Sequence, residues 1–275
     1  MPFQIEQIII IAREAGEILK KYYTSRLYSV STKSEPTDYV TTADLASEAH
    51  IKKRLAELFP NDKMFCEEDT HRPTDFSGRV WFVDPLDGTA SFVAHEENFT
   101  VLIGLCENGT PVLGVVCEPL SGVVFYAEKN KGAWRLDANN KKKIQVSTIQ
   151  NLNDARVLVG TRTTPTGIKT IVAAMPFKEF LKKGDGMCGR VSCLIAQGEA
   201  ECRVNVKVSK WDTCGPQVIL EEAGGKMTDS DDNPPNYAQK EAMWQRLIVS
   251  TNGSIHAEVL EQLQDKMNKK REIIN

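Results

Sequence analysis

An apolar run that leads into two carboxylates, within residues 80 to 92, constrains the fold of this chain more than any other stretch. Val80 to Val83 are all apolar, which is typical of a buried strand. Asp84 and Asp87 follow, in an Asp-Pro-Leu-Asp-Gly segment rich in turn formers. The pattern predicts a strand, a turn at its end, and a possible helix after Gly88-Thr89. Two acids beside free backbone N–H groups suit a divalent cation together with a phosphate; the alternative is an ordinary Asp-rich turn.

The composition is that of a globular protein with one large domain or two closely packed halves. The chain has 275 residues, 41% hydrophobic and 26% charged. Its net charge of −3 lacks the basic excess of nucleic-acid-binding proteins, so no such polymer is expected as a partner. Seven cysteines without a Cys-x-x-Cys pair favour reduced thiols and a cytoplasmic location. The N-terminal apolar run, Ile8 to Ala12, is too short to span a bilayer, so no membrane contact is expected.

Hydrophobic periodicity predicts helices followed by an antiparallel set of strands in the first half. A helix is expected over 3–23, then a loop or short hairpin over 29–40. A second helix should begin with Thr42 as N-cap and bury Leu45, Ala49, Leu55 and Leu58. The remaining predictions are strands at 63–66, 99–106, 112–117, 123–127 and 133–136, a mobile surface loop at 70–79, and a polar turn at 139–143.

Strands and helices alternate in the second half. Strands are predicted at 156–160, 201–208, 226–228 and 247–250, and helices at 167–174, 189–197, 211–223 and 254–269. We therefore expect an α/β (α+β) layered fold. The predicted division is an N-terminal α+β half, residues 1–151, which contains most of the candidate acids, and a C-terminal α/β half, residues 152–275, which completes the site.

Five acids stand out at or beside the ends of predicted elements: Asp44, Glu67, Asp84, Asp87 and Asp212. Carboxylates that converge repel one another unless cations neutralise them, and Mg²⁺ is a hard cation that prefers such oxygens. Two or three such ions would activate a water and stabilise a leaving oxygen, as phosphate ester hydrolysis requires. The sequence alone does not show convergence, and an acid considered by itself is more often a surface charge or a helix cap than a metal ligand.

Several motifs, in order along the chain, resemble one known family. They are Thr-Thr-Ala-Asp at 41–44, Cys-Glu-Glu-Asp at 66–69, Val-Asp-Pro-Leu-Asp-Gly-Thr at 83–89, Lys-Trp-Asp-Thr-Cys-Gly-Pro at 210–216 and Glu-Ala-Gly-Gly-Lys-Met-Thr-Asp at 222–229. Together they resemble the signatures of the lithium-sensitive, magnesium-dependent phosphatases of the inositol monophosphatase family. The resemblance covers about residues 5 to 265. It implies the layered αβαβα sandwich that these enzymes share with fructose-1,6-bisphosphatase.

The resemblance also implies roles for individual residues. The implied metal ligands are Glu67, Asp84, the carbonyl of Leu86, Asp87 and Asp212. Asp44 would hold a third ion or its water, and Asp44, Thr89 and Glu67 form the implied catalytic set that orients or deprotonates the nucleophilic water. The backbone N–H groups of Gly88 and Thr89 would hold the phosphate. Two or three Mg²⁺ ions, and inhibition by Li⁺, are implied in the same way.

Substrate preference depends on segments outside these acids. Trp-Asp-Thr-Cys at 211–214 resembles the 3′(2′),5′-bisphosphate nucleotidases, whereas inositol monophosphatases usually have Trp-Asp-Val-Ala there. Segment 186–190 resembles the nucleotidase segment that meets a second phosphate, which makes Gly186 and Arg190 candidate substrate contacts. Thr161 and Thr164 lie in a loop that resembles a nucleotide-contacting loop, although Thr164 stands where a histidine is expected.

The resemblance therefore favours hydrolysis of 3′-phosphoadenosine 5′-phosphate to AMP and phosphate. Asn205 stands where inositol monophosphatases have a glutamate that binds inositol, which weakens the inositol alternative. An inositol monophosphatase, a broad-specificity sugar phosphatase and a non-catalytic phosphate sensor remain alternatives. For Arg190 the alternative role is an exposed helix-start arginine, while Trp211 and Cys214 are expected to be core residues. The expected partner is a small phosphate ester, and the chain would be a monomer or a homodimer.

Overall fold

The computed structural model describes residues 5–33, 39–138, 140–160, 166–182, 187–206, 208–244 and 246–274. The helices are α1 Ile5–Ser25, α2 Thr42–Leu58, α3 Thr89–Val93, α4 Thr166–Ala173, α5 Cys188–Ala196, α6 Lys210–Glu222 and α7 His256–Ile274. The strands of the first half are β1 Val30–Thr32, β2 Tyr39–Thr41, β3 Lys63–Cys66, β4 Arg79–Asp87, β5 Thr100–Glu107, β6 Thr110–Cys117, β7 Val124–Glu128, β8 Ala133–Asp137 and β9 Asn140–Ile144. The second half has β10 Arg156–Leu158, β11 Glu179–Leu181, β12 Cys202–Asn205, β13 Lys226–Asp229 and β14 Ile248–Thr251.

Three hydrophobic clusters divide these elements into five layers. Helices α1 and α2 pack on one face of a seven-stranded sheet. Helices α5 and α6 fill the space between the other face of this sheet and a five-stranded sheet. Helices α4 and α7 cover the outer face of the second sheet. This order is the αβαβα sandwich, so the predicted fold class is confirmed.

Strand β4 shows why the apolar run after residue 79 fits this arrangement. Successive side chains of a strand point to opposite faces. Val80 and Phe82 therefore join the cluster around α5 and α6, whereas Trp81 and Val83 join the cluster beneath α1 and α2. A central strand covered by helices on both faces has to be apolar at every position, as this run is.

The strand order of the seven-stranded sheet is β3-β4-β5-β6-β7-β8-β9, and every pair is antiparallel except β3 with β4. The parallel pair aligns Cys66 with Val83, so the carboxyl ends of both strands meet at one edge. The five-stranded sheet has the order β11-β10-β12-β14-β13. Its strands all come from residues after 151, but the predicted division into two halves stays a prediction.

Glycines allow α6 to lie unusually close to the first sheet. A Cβ atom on Gly114 of β6 would lie 2.0 Å from the carbonyl oxygen of Gly215 in α6. A Cβ on Gly104 of β5 would lie 2.5 Å from the Gly215 nitrogen. Any larger residue at these positions would push the helix away from the sheet. The first turn of α6 contains Asp212, so this contact also fixes the height of an expected metal ligand above the sheet.

Four sequence predictions about local structure are wrong. The N-cap of α2 is Thr41 rather than Thr42. Leu45 and Ala49, which were expected in the core, are exposed, whereas Leu55 is buried as predicted. The buried face of α2 instead contains polar residues, among them Asp44 and Glu48, because this face borders the site rather than a purely apolar core.

The other two corrections concern predicted turns that are strands. Asp-Pro-Leu-Asp at 84–87 remains part of β4, and the turn propensity appears as a register shift against β5 between Asp84 and Asp87. Residues 140–143 belong to strand β9 at the sheet edge, where the lysines face solvent and Lys141 lies over the Trp134 ring. Position 139 of the predicted turn lies outside the described residues.

Candidate active site

The parallel register of β3 and β4 brings two of the predicted metal ligands to one edge. Because Cys66 is aligned with Val83, Glu67 and Asp84 emerge side by side from neighbouring strands. The backbone N–H of Glu67 donates to the carbonyl of Val83 at 3.1 Å, which continues the pairing to this residue. The register shift after Asp84 then keeps Asp84 and Asp87 near the same edge.

Asp84, Asp87 and Asp212 form a compact group, hereafter the acidic cluster. One carboxylate oxygen from each lies within 4.8 Å of the others. Asp212 joins from the first turn of α6, where it forms a capping box with Ser209 and accepts a hydrogen bond from the Ser209 N–H at 2.8 Å. The capping box therefore orients the side chain that the sequence predicts as a ligand.

Electrostatics in the cluster are unfavourable for three bare anions. Burial raises the pKa of Asp84 well above its usual range, and the charges of Glu67, Asp87 and Asp212 raise it further. Burial and the charges of Asp87 and Glu67 act in the same direction on the pKa of Asp212. Such a group is stable in ionised form only when a cation compensates it.

Asp87 is held from the opposite side by the start of α5. Its carboxylate accepts hydrogen bonds from the N–H groups of Cys188 at 3.1 Å and Gly189 at 2.9 Å, and from the Thr100 hydroxyl at 3.0 Å. Burial raises the pKa of Asp87 to about 6, although these donors from the amino end of a helix act in the opposite direction. The carboxylate is thereby fixed in orientation as well as position.

Asp44 and Thr89 form the second part of the site. Asp44 is buried, and its Oδ2 accepts hydrogen bonds from the Thr41 N–H at 2.8 Å and from the Thr41 hydroxyl. The Thr89 hydroxyl lies 3.1 Å from Asp44 Oδ1 and 3.0 Å from the Leu86 carbonyl oxygen, and its single proton can be donated to either. Burial raises the pKa of Asp44 to about 6, against the opposing effect of the Thr41 hydrogen bonds.

Glu67 lies beside a lysine that the sequence did not indicate. The Lys33 ammonium lies 2.7 Å from carboxylate oxygens of both Glu67 and Glu68. Burial disfavours its charge, yet the two glutamates raise the pKa of Lys33 above its usual value. The charge of Glu67 is therefore balanced by the Lys33 ammonium in this structure.

Backbone conformation and close packing both require a glycine at position 88, between the acids and Thr89. Its φ is 96°, in the left-handed region that favours glycine. A Cβ atom there would lie 2.7 Å from the carbonyl oxygen of Asn98. The helix that follows, α3, has five residues. Phosphate binding by the N–H groups of Gly88 and Thr89 stays a prediction.

The acidic cluster fits a divalent metal by its chemistry. Three carboxylates lie close enough to share an ion, all of them oxygen ligands of the type that Mg²⁺ prefers. Glu67 and the carbonyl of Leu86 are placed nearby by the strand pairing and by the Thr89 contact. The raised pKa values of Asp84 and Asp212 are the expected sign of a site whose charge balance requires a cation.

The predicted substrate contacts are only partly described. Thr161, Thr164 and Gly186 lie outside the described residues. Arg190 lies on α5, two residues after Cys188, and its Nε is 2.9 Å from Glu118 Oε1, so its charge is already paired. Asn205 is buried and accepts a hydrogen bond from Arg203 Nε at 2.6 Å. Trp211 and Cys214 are buried core residues, as expected.

Sequence reasoning missed several residues that support the site: Lys33, Thr41, Ser47, Arg72 and Thr100. Ser47 donates to the carbonyl of Pro85 at 3.0 Å and so ties α2 to the Asp-Pro-Leu-Asp segment. Thr41 could have been found, because Thr41 and Asp44 have the spacing of a capping box. Lys33, Ser47 and Thr100 carry no local pattern, since their partners are distant in the sequence. Arg72 binds carbonyls only five and six residues away, but no sequence pattern marks an arginine at that spacing as their partner.

Comparison with known proteins agrees with this geometry. A family model described as the inositol monophosphatase family matches residues 4–268. The chain belongs to the inositol monophosphatase family. Membership confirms the resemblance seen in the motifs and makes this chain a phosphatase of that family.

Similar family members differ in their named substrates. A 3′(2′),5′-bisphosphate nucleotidase CysQ of Haemophilus influenzae is 31% identical over 245 residues, which are 87% of this chain and 89% of the relative. A histidinol-phosphatase of Mycobacterium tuberculosis is 29% identical over 93% of this chain and 95% of the relative. Relatives about 30% identical to this chain are therefore named for different phosphate ester substrates.

Solved structures of the family share the fold. An IMPase of Thermotoga maritima superposes with a TM-score of 0.83 over 97% of this chain and 98% of its own, at 24% identity. An inositol monophosphatase of Anabaena superposes with a TM-score of 0.76 over 96% of this chain and 97% of its own, at 27% identity. Among the described residues, no helix is both long enough and apolar enough to cross a membrane.

Proposed function

We propose that this phosphatase hydrolyses 3′-phosphoadenosine 5′-phosphate to AMP and phosphate in a Mg²⁺-dependent reaction. The observation that carries the catalytic part is the position of the Thr89 hydroxyl, 3.1 Å from buried Asp44 and two residues after Asp87 of the acidic cluster. A phosphate-binding sensor would need positive charge to hold the phosphate. It would not need a hydroxyl and carboxylate pair, such as Thr89 and Asp44, arranged to accept a proton.

Five groups would hold the metal: the carboxylates of Glu67, Asp84, Asp87 and Asp212, and the carbonyl of Leu86. When bound, Mg²⁺ supplies positive charge that favours deprotonation of water near neutral pH and stabilises the departing oxygen. The buried walls around Asp84 and Asp87 exclude bulk water, which strengthens every electrostatic contact with the phosphate. The start of α5 keeps Asp87 in a fixed orientation throughout.

Thr89 and Asp44 would manage the proton of the attacking water. The Thr89 oxygen accepts a hydrogen bond from that water while its own proton is directed to Asp44 Oδ1. As the water oxygen forms its bond to phosphorus, its proton passes to Thr89 and the Thr89 proton passes to Asp44. The bond from phosphorus to the 3′ oxygen breaks, and that oxygen takes a proton from a water molecule to give AMP. Asp44 loses its proton to water when the products leave, which restores the starting state of the site.

Two observations support the bisphosphate nucleotide as substrate. Relatives named 3′(2′),5′-bisphosphate nucleotidase match over most of this chain at 31% identity. At position 205, where the inositol enzymes are expected to use a glutamate carboxylate, the Asn205 side chain is engaged by Arg203. This neutral amide, bound to a cation, is a poorer acceptor for ring hydroxyls than a free carboxylate.

The deciding experiment compares phosphate release from 3′-phosphoadenosine 5′-phosphate, inositol 1-phosphate and histidinol phosphate. We expect the largest kcat/KM for the first substrate with Mg²⁺, stoichiometric AMP by chromatography, and no release in excess EDTA. A larger kcat/KM for inositol 1-phosphate would replace the proposed substrate but keep the chemistry. Release that persists in EDTA would refute the role assigned to the acidic cluster.

A further inference from the structure

Arg72 connects the two segments that present Glu67 and Asp212. Its Nε donates to the carbonyl of Cys66 at 2.9 Å, and its Nη2 donates to the carbonyl of Glu67. Its guanidinium carbon also lies 4.7 Å from the centroid of the Trp211 ring. Trp211 is the residue directly before Asp212 in the chain. The Arg72 side chain therefore contacts the backbone of one predicted ligand, Glu67, and the residue next to another predicted ligand, Asp212.

Glu67 needs such support because of its place in the sheet. Strand β3 is the first strand in the sheet order, so its backbone pairs only with β4. The N–H of Glu67 bonds to Val83 on the β4 side, whereas the carbonyls of Cys66 and Glu67 are bound by Arg72. The guanidinium thus takes the place of a missing neighbouring strand at the point where the acid emerges.

The stacking contact fixes the distance from this edge to α6. Trp211 is buried, and its ring centroid lies 5.9 Å from that of Phe65 in β3. The guanidinium of Arg72 lies over both rings, 5.6 Å from the Phe65 centroid. A planar cation can donate in its plane to two carbonyls while its face covers an aromatic ring, a combination that an ammonium group cannot reproduce.

We propose that Arg72 is a positioning residue of the metal site, which sets the separation between Glu67 and Asp212 so that both reach the same ions. This inference rests on the proposed function, since it requires the acidic cluster to bind metal. Loss of groups that orient metal ligands typically weakens metal affinity about 10- to 100-fold. We expect a loss of metal affinity in the same range when a substitution removes the N–H donors of Arg72.

The test measures Mn²⁺ binding to the protein alone, by the loss of the free-ion paramagnetic resonance signal. In Arg72→Met the aliphatic stem remains but the planar donors are lost, and the Mn²⁺ Kd should rise about 10- to 100-fold. Arg79→Met is the matched control. Arg79 also stacks on an aromatic ring, 4.9 Å from the Phe59 centroid, and its Nη2 lies 3.0 Å from Asp62 Oδ2. The Mn²⁺ Kd of the Arg79→Met protein should stay within about twofold of wild type.

A second readout separates positioning from general stability. With Arg72→Met, saturating Mg²⁺ should restore most of kcat, because the defect lies in metal affinity; a merely structural role would lower the melting temperature without shifting the metal dependence. Wild-type Mn²⁺ affinity in folded Arg72→Met overturns the inference. If that variant does not fold, Arg72→Lys decides, since an ammonium group cannot bind both carbonyls and at the same time cover the face of the Trp211 ring, and an unchanged Kd there overturns the inference equally. Wild-type protein that binds no Mn²⁺ refutes the proposed function together with this inference, whereas turnover in Arg72→Met that needs no more Mg²⁺ than wild type refutes this inference alone.

Discussion

Asp84→Asn should abolish phosphate release and, at the same time, stabilise the metal-free protein. Asp84 is 2% exposed, and its Oδ1 accepts a hydrogen bond from the Leu86 N–H at 2.9 Å, which an asparagine oxygen can also accept. The substitution therefore keeps the local hydrogen bond but removes one negative charge from the acidic cluster. Function and stability oppose each other at this residue.

The magnitude follows from the spacing of the cluster. Carboxylate oxygens within 4.8 Å of one another repel by about 3 kcal/mol per pair at an effective dielectric constant of about 20. The raised pKa of Asp84 means that part of this repulsion is already relieved by protonation. We therefore expect a gain of about 2–3 kcal/mol in the free energy of unfolding, or roughly 4–12 °C in Tm for a chain of this size.

The assay is thermal unfolding followed by circular dichroism, in EDTA and then with Mg²⁺ at about 100 times its Kd. Wild type should gain about 2.7 kcal/mol from Mg²⁺ by mass action, and Asp84→Asn should gain much less. Asp137→Asn, whose side chain is 49% exposed and paired with Arg135, is the control and should stay within about 0.5 kcal/mol of wild type. A metal-free Asp84→Asn protein less stable than wild type, or one with normal turnover, would refute the electrostatic reasoning.

Four further substitutions test separate parts of the structure. Thr89→Val should lower kcat by about 10²- to 10⁴-fold while Mn²⁺ binding stays unchanged, and a loss confined to KM would contradict the proton path. A second phosphate would have to replace Glu118 as the partner of Arg190. Arg190→Ala should then raise KM about 10-fold or more for 3′-phosphoadenosine 5′-phosphate but not for inositol 1-phosphate; equal effects would remove the second-phosphate contact. Burial lowers the pKa of His256 from 6.5 to about 4, so the unfolded chain binds the extra proton between these values. Stability should therefore fall by roughly 2–3 kcal/mol as the pH drops from about 6.5 to about 4, and His256→Gln should flatten this slope in urea titrations. Gly114→Ala, whose Cβ would lie 2.0 Å from the Gly215 carbonyl oxygen, should cost about 3 kcal/mol or more, and a near-wild-type urea midpoint would show that α6 can shift.

Local sequence patterns were sufficient for most elements of the fold. The apolar run in β4, the Asn-Gly turn between β5 and β6 and the three- and four-residue periodicity of α1 each depend on neighbours in the chain. The α2 helix shows the limit of such patterns. Leu55 is buried as predicted, but Leu45 and Ala49 are exposed, because Asp44 and Glu48 turn toward the site against the hydrophobic preference.

The sequence by itself predicted which acids form the candidate site, because motif order and residue type are local properties. Only the tertiary structure decided that they meet. The parallel register of β3 and β4 places Glu67 beside Asp84, the close packing of Gly114 on Gly215 sets the height of Asp212, and the start of α5 orients Asp87. The contacts of Lys33 and Arg72 belong to the same class, since each joins residues through space. Whether the acids converge depends on the register of the strands and on the distance of α6 from the sheet, and no single segment of the chain determines either quantity.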